Sequence, residues 1–186
     1  MKVIKAKTAG FCFGVKRAVD TVYKQVDTKC GQIYTYGPII HNEEVIKDMR
    51  DKGVIVLRSE EDLDMISQGT VIIRSHGVEK RIYEKIEQKG LRIVDATCPF
   101  VKKIHNIVSE KSEEGFHIII IGNPEHPEVV GIKGWAKDNV TVIQSAEDAE
   151  CFTADRKEKI CIVSQTTFNY NKFKDLVEII MKKSYD

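Results

Sequence analysis

The chain has 186 residues, 29 basic and 28 acidic side chains, a formal net charge of +1 and a hydrophobic share of 42%. That balance excludes intrinsic disorder and offers no basic footprint for nucleic acid, while leaving room for a small anion held at a local site. Apolar runs such as Ile118 to Ile121 are far too short to span a bilayer, and the length suits one or two domains.

The first element in chain order is a β-rich run at 3–6. The segment around it has no long apolar signal core, so the protein reads as cytoplasmic. Next come a helix at 15–26, a strand at 33–36, a helix at 42–52, and strands at 54–57 and 70–74. A helix at 80–88 leads to a strand at 91–94, and a helix at 99–114 to a strand at 117–121. The last elements are a helix at 127–136, strands at 140–143 and 159–164, and a helix at 169–183. Gly53, Gly90 and Gly115 stand where three of the helices should stop, as left-handed C-terminal residues do. Alternation of this kind predicts an α/β protein with mainly parallel sheets and helices on both faces, a three-layer-like arrangement. In such folds ligands collect beyond the carboxyl ends of the strands.

The chain also repeats itself. Cys12-Phe-Gly-Val15-Lys16-Arg17 matches Cys98-Pro-Phe-Val101-Lys102-Lys103, and Gly37 to Glu43 matches Gly122 to Glu128, with His41 against His126. A strand ending in Arg74-Ser75-His76 matches one ending in Val163-Ser164-Gln165. The Cys-to-His spacings are 29 and 28 residues, and the Cys-to-Ser spacings 63 and 66. Three landmarks in one order predict two related α/β domains, 1–97 and 98–186, each turning a cysteine, a histidine and a strand-end polar group toward a common centre.

Five cysteines is an odd count without the spacing of a secreted disulfide framework. Cys12 and Cys98 each follow a strand and open a helix, where the helix dipole favours an anion, and Pro99 suits a first helical position. Such a seat suits thiolates that hold an iron–sulfur cluster. Against it stands the plainer reading of two buried, inert cysteines. Cys161 lies inside a strand and reads as core, and Cys30 and Cys151 lie in loops without ligand context. His41, His76 and His126 all follow strands and can donate to phosphate oxygens. His105, on a helix, and His117, opening a strand, read as structural. Glu43 reads as a first-turn acid facing the helix dipole. Glu128, beside His126 and read together with the polar run Ser164-Gln165-Thr166-Thr167, suggests a proton relay.

Taken together these residues resemble the 4-hydroxy-3-methylbut-2-enyl diphosphate reductase family. The likeness rests on Ala9-Gly10-Phe11-Cys12-Phe13-Gly14-Val15, Ile40-His41-Asn42, Ser75-His76-Gly77-Val78, Asp95-Ala96-Thr97-Cys98-Pro99, His126-Pro127-Glu128-Val129 and Ser164-Gln165-Thr166-Thr167. The resemblance implies a [4Fe–4S] cluster held by three cysteines, two of them Cys12 and Cys98, at the centre of three pseudo-equivalent α/β domains. It implies that His41, His76 and His126 bind the diphosphate or the substrate hydroxyl, and that Glu128 donates a proton with help from Thr166 or Thr167. The implied reaction is reductive removal of an allylic hydroxyl from a small diphosphate, giving isopentenyl and dimethylallyl diphosphates. Electrons would come from ferredoxin or flavodoxin. The family's third cysteine and third domain lie beyond Asp186, so the chain reads as two of three domains, and the run at 1–7 as a strand belonging with the third. Two other readings stay open on the residues themselves: a non-catalytic Cys₂His₂ zinc module, which the long ligand spacing disfavours, and a generic phosphate-binding α/β domain.

Overall fold

The computed structural model describes residues 2–7, 9–28, 31–155 and 157–185, without the side chains of 184 and 185. The order of elements is α1 (Phe13–Thr28), β1 (Ile33–Tyr36), α2 (Glu43–Asp51), β2 (Ile55–Leu57), α3 (Glu60–Asp64), β3 (Thr70–Ile73), α4 (Lys80–Gln88), β4 (Arg92–Asp95), α5 (Pro99–Glu113), β5 (His117–Ile121), α6 (Pro127–Lys133), β6 (Val140–Ile143), α7 (Ala146–Cys151), β7 (Ile160–Ser164) and α8 (Tyr170–Tyr185). Two compact units emerge. The first comprises residues 1–75 and 89–98, the second 76–88 and 99–186.

The first unit is built on a four-stranded sheet in the order β2-β1-β3-β4, with every pairing parallel. All four residues of β3 are buried, Thr70 with the apolar run Val71 to Ile73, as expected of a strand flanked by strands on both sides. α1 lays Ala18, Val19 and Val22 against Ile33, Ile72 and Ala96, and Ile39, Ile40, Met49 and Val54 complete that core. The second unit has a three-stranded parallel sheet, β6-β5-β7. Its central strand alternates strictly. Ile118 and Ile120 pack with Val108, Val129 and Ile132 from α5 and α6, while Ile119 and Ile121 pack with Leu176 and Ile180 of α8 and Ala149 of α7. Two faces covered by helices make this unit a true three-layer sandwich. In both units the second strand pairs on one side of the first and the third on the other, and a helix follows each of the first two strands, so the sequence repeat is also a repeat of topology.

Gly53, Gly90 and Gly115 have φ of 87°, 68° and 82°, the left-handed stops expected of them. The strand read at 3–6 is not formed. Residues 2–6 carry no regular structure, and Val3 and Ile4 are 80% and 78% exposed. A β-rich run becomes a strand only where a neighbour accepts its hydrogen bonds, and among the described residues none does. α3 and α7 were not legible as helices from apolar periodicity, and α6 stops at Lys133, three residues before its expected end. His117 holds Thr141 at 2.8 Å through Nε2 and Glu158 at 3.0 Å through Nδ1, stapling the start of β5 to β6 and to the approach of β7. His105 is buried and stacks on Trp135. Both histidines therefore serve the fold, as read. Among the described residues no helix is long and apolar enough to cross a membrane.

Candidate functional site

In the first unit both nominated cysteines stand at the start of a helix. Cys12 immediately precedes α1, and its carbonyl accepts the Lys16 N–H at 2.9 Å, the first bond of that helix. Cys98 follows β4 and precedes Pro99, the first residue of α5. The Cys98 loop is tied down on several sides. Its own N–H donates to the Ser75 carbonyl at 2.9 Å, and Asp95 Oδ1 accepts from the Thr97 N–H at 2.9 Å. Arg17 reaches across from α1 to the Thr97 and Asp95 carbonyls at 2.9 and 3.4 Å. Ser75 closes the network through its hydroxyl, which donates to the Ile39 carbonyl at 3.0 Å.

Gly14 explains how the two cysteine segments meet. A Cβ on that residue would lie 2.6 Å from the Cys98 sulfur, so only glycine leaves α1 a notch deep enough for the thiol. The Cys98 sulfur thus rests on the first turn of the helix that Cys12 opens. Cys12 is exposed and Cys98 half-buried. Cys161, inside β7, has its thiol pushed up by burial, with Lys111 opposing the shift, and Cys151 is exposed at the end of α7. Neither has the helix-start setting, and Cys30 lies outside the described residues. His41 is exposed just ahead of α2. Its neighbour Asn42 caps that helix, accepting the Val45 N–H at 3.0 Å.

The second unit uses the equivalent position differently. Proline stands at 127 where asparagine stands at 42, and it has no side chain that can cap. The imidazole of His126 takes over, with Nδ1 accepting the Glu128 N–H at 3.1 Å. A backbone N–H can only donate, so Nδ1 carries no proton in this arrangement. His76 meets His126 edge to face, with ring centroids 5.6 Å apart. Glu128 is 2% exposed, and both its oxygens accept from one residue: Oε1 from the Thr166 N–H at 2.6 Å and Oε2 from the Thr166 hydroxyl at 2.9 Å. Thr167 accepts instead from Gln165 Nε2 at 3.0 Å, and Gln165 Oε1 accepts the Asn123 N–H at 3.2 Å. Glu43, at the repeat-related position, is exposed in the first turn of α2.

The sequence nominated the cysteines, histidines, Glu128 and the two threonines. It did not reveal Gly14, Arg17 or Gln165 as their supports. Gly14 and Gln165 lie inside quoted motifs, but what they do depends on approaches the sequence does not display.

Parallel α/β units that carry Cys98, His126 and the buried Glu128 beyond the carboxyl ends of their strands have the arrangement of α/β proteins that bind ligands at strand-end loops. The family model described as LytB protein matches residues 3–186, and the chain belongs to that family. It is 45% identical over 185 residues to the 4-hydroxy-3-methylbut-2-enyl diphosphate reductase of Caldanaerobacter subterraneus subsp. tengcongensis and 47% identical over 188 residues to that of Thermoanaerobacter sp. (strain X514), covering 99% and 100% of this chain. The chain spans 64% of the length of each of these two relatives. Among solved structures, the E-1-hydroxy-2-methyl-but-2-enyl-4-diphosphate reductase of Plasmodium falciparum superposes with a TM-score of 0.88 at 30% identity, over 95% of this chain and 55% of that one. A second, (E)-4-hydroxy-3-methyl-but-2-enyl diphosphate reductase, described as the terminal enzyme of the non-mevalonate pathway, gives 0.81 at 37% identity over 97% of this chain and 64% of that one.

Proposed function

We propose that this chain forms two of the three domains of a 4-hydroxy-3-methylbut-2-enyl diphosphate reductase, which reductively removes the allylic hydroxyl of its diphosphate substrate in isoprenoid biosynthesis. The observation that carries the reading is Glu128: a buried carboxyl, gripped on both oxygens by Thr166, two residues from a histidine that caps the same helix. Within the domain division, residues 1–97 and 98–186 are read as the first and second domains, and the run at 1–7 as a strand that joins the third.

In this reading Cys12 and Cys98 supply two of the thiolates that hold a [4Fe–4S] cluster. The residues present fit that role: both open helices, and the Gly14 notch seats the Cys98 sulfur at the helix start of Cys12. The cluster, when bound, supplies the electrons for the reduction. Substrate binding falls to the histidines. His126 donates through Nε2 to a diphosphate or hydroxyl oxygen, with His76 beside it, and His41 is assigned the same task from its exposed position ahead of α2. With Glu128 ionised the Thr166 hydroxyl donates to it; with Glu128 protonated the bond reverses and releases the Thr166 proton to the substrate hydroxyl. A proton arriving at Thr166 from a bound hydroxyl or water can therefore pass to or from Glu128. Thr167, already accepting from Gln165, keeps its own proton to donate. In balance, the carbon–oxygen bond breaks, the hydroxyl takes a proton and leaves as water, and two electrons and a second proton end in a new carbon–hydrogen bond. A groove of about 420 Å³ along α1 beside Cys12 is lined by Phe13, Lys16, Arg17, Asp20, Thr21 and Lys24, and supports docking of an acidic electron carrier such as ferredoxin or flavodoxin.

The test joins this chain to the C-terminal third of the Thermoanaerobacter relative and loads the fusion anaerobically with iron and sulfide. The fusion is then assayed with a chemical reductant and the hydroxylated diphosphate. Isopentenyl and dimethylallyl diphosphates are the expected products. A loaded fusion that forms neither overturns the proposal, and zinc in place of iron and sulfide would favour the metal-module reading.

A further inference from the structure

Helix α6 carries His126 and Glu128 at its start, and at its far end it is fastened to the turn that carries His76. Three contacts make the fastening. The Trp135 indole N–H donates to the Val78 carbonyl at 2.9 Å. The Lys80 N–H donates to the Gly134 carbonyl at 3.3 Å. Gly131 brings the helix so near that a Cβ there would sit 3.6 Å from the carbonyl oxygens of His76 and Gly77. At Gly134 there is no room at all, since a Cβ would lie 2.4 Å from the Glu79 side chain and 2.9 Å from its Cα. Trp135 is itself held from two sides, stacked on the buried His105 ring at 5.0 Å and meeting Tyr83 edge to face at 5.7 Å.

We propose that Trp135 is a positioning residue for the histidine pair: its indole hydrogen bond locks the 76–80 turn onto α6, and so fixes the spacing at which His76 and His126 present their donors to one anion. The proposal rests on the anion-binding reading of these histidines. The ring spacing of 5.6 Å is set by two segments fifty residues apart in sequence, and the contacts just described tie them together. Each histidine sits on a short connection that could otherwise shift by the fraction of an ångström that separates a two-donor grip from a single contact. The buried His105 ring stacks on the indole and sets its plane, so the N–H stays aimed at the Val78 carbonyl.

The experiment uses the chain itself, with inorganic pyrophosphate as the probe. Trp135→Phe keeps the ring contacts and removes the donor. Tyr83→Leu loosens the same aromatic cluster and leaves the hydrogen bond in place. Two readouts are taken: amide hydrogen exchange, and titration of the His76 and His126 ring proton resonances with pyrophosphate. Trp135→Phe is expected to speed exchange at residues 77–80 while leaving 118–121 unchanged, and to weaken pyrophosphate about fivefold, the equivalent of one hydrogen bond. Tyr83→Leu is expected to melt earlier yet bind pyrophosphate within about twofold of the parent. Unchanged exchange at 77–80 in Trp135→Phe overturns the proposal, as does an equal loss of affinity in Tyr83→Leu, which would mark general loosening. A parent chain in which millimolar pyrophosphate moves neither ring overturns the anion reading and the proposal with it.

Discussion

Glu128 and Glu43 occupy equivalent places in the repeat and differ in almost every physical respect. Glu128 is buried and bound through both oxygens; Glu43 is exposed in a first helical turn. In the fusion described above, Glu128→Gln should bind substrate but turn over about a hundred- to ten-thousand-fold more slowly, because glutamine keeps the shape and cannot supply the proton. Glu43→Gln should change the rate little, so steady-state assay of the two variants separates them, and equal losses would contradict the roles assigned. The cysteines differ in a way that needs no turnover. Burial pushes the Cys161 thiol up, leaving less thiolate at any given pH, whereas Cys12 and Cys151 are exposed. Timed alkylation of the folded chain near pH 8, read by peptide mass, should label Cys12 and Cys151 well before Cys161. At this scale the local settings of the nominated residues were legible, because each sits in a distinctive motif at a helix start or just after a strand. The supports were not: Arg17 acts on carbonyls about eighty positions away, and no local pattern announces such a bond.

Two elements escaped the sequence reading for one reason. α3 and α7 are five and six residues long and rich in acidic residues, too short to display an apolar stripe. Their signal lay in Ser59-Glu-Glu-Asp62 and Ser145-Ala-Glu-Asp148. Each serine hydroxyl accepts the N–H of the aspartate three residues on, and Asp148 returns a bond to the Ser145 N–H as a full capping box. Ser145→Ala should therefore cost about 1 kcal/mol in denaturant unfolding, with no effect on thiol reactivity. The run at 3–6, read as a strand that belongs with a third domain, has the right composition but, among the described residues, no ladder to join. A sharper test of element placement is Gly14→Ala. α1 should tolerate and even favour alanine on propensity alone, but the added methyl would occupy space now held by the Cys98 sulfur. The expected outcome in the reconstituted fusion is a folded protein with less iron and sulfide than the parent. Full cluster content would show that the notch has no bearing on Cys98.

At the scale of the whole molecule, the repeat was the most legible feature, because matched motifs at matched spacings survive where individual element ends blur. Comparison of the repeats also shows what the second unit lacks. In the first sheet β3 lies between β1 and β4 and is buried along its length; its counterpart β7 is an edge strand, with only Val163 of its five residues buried. Among the described residues no strand pairs with the outer side of β7, and such an edge can accept a strand from another chain. Phe11, Phe13 and Phe100 add apolar surface, at 48%, 67% and 67% exposure, beside or shortly after the two cysteines proposed as ligands. The chain spans 64% of these two relatives, and among the described cysteines two stand at helix starts, whereas such clusters are generally held by more protein ligands. The isolated chain should therefore fold, since each unit has its own core, but self-associate with rising concentration and hold a four-iron cluster poorly or not at all. Without the cluster and the contacts of the remaining third, it should show no reductase activity. Sedimentation at several concentrations tests the first part. Anaerobic loading, desalting and electron paramagnetic resonance of the reduced sample, followed by assay with a strong chemical reductant, test the second. A stable four-iron signal with turnover from this chain alone would mean that a thiol outside the Cys12 and Cys98 pair, or a second copy, completes the ligand set.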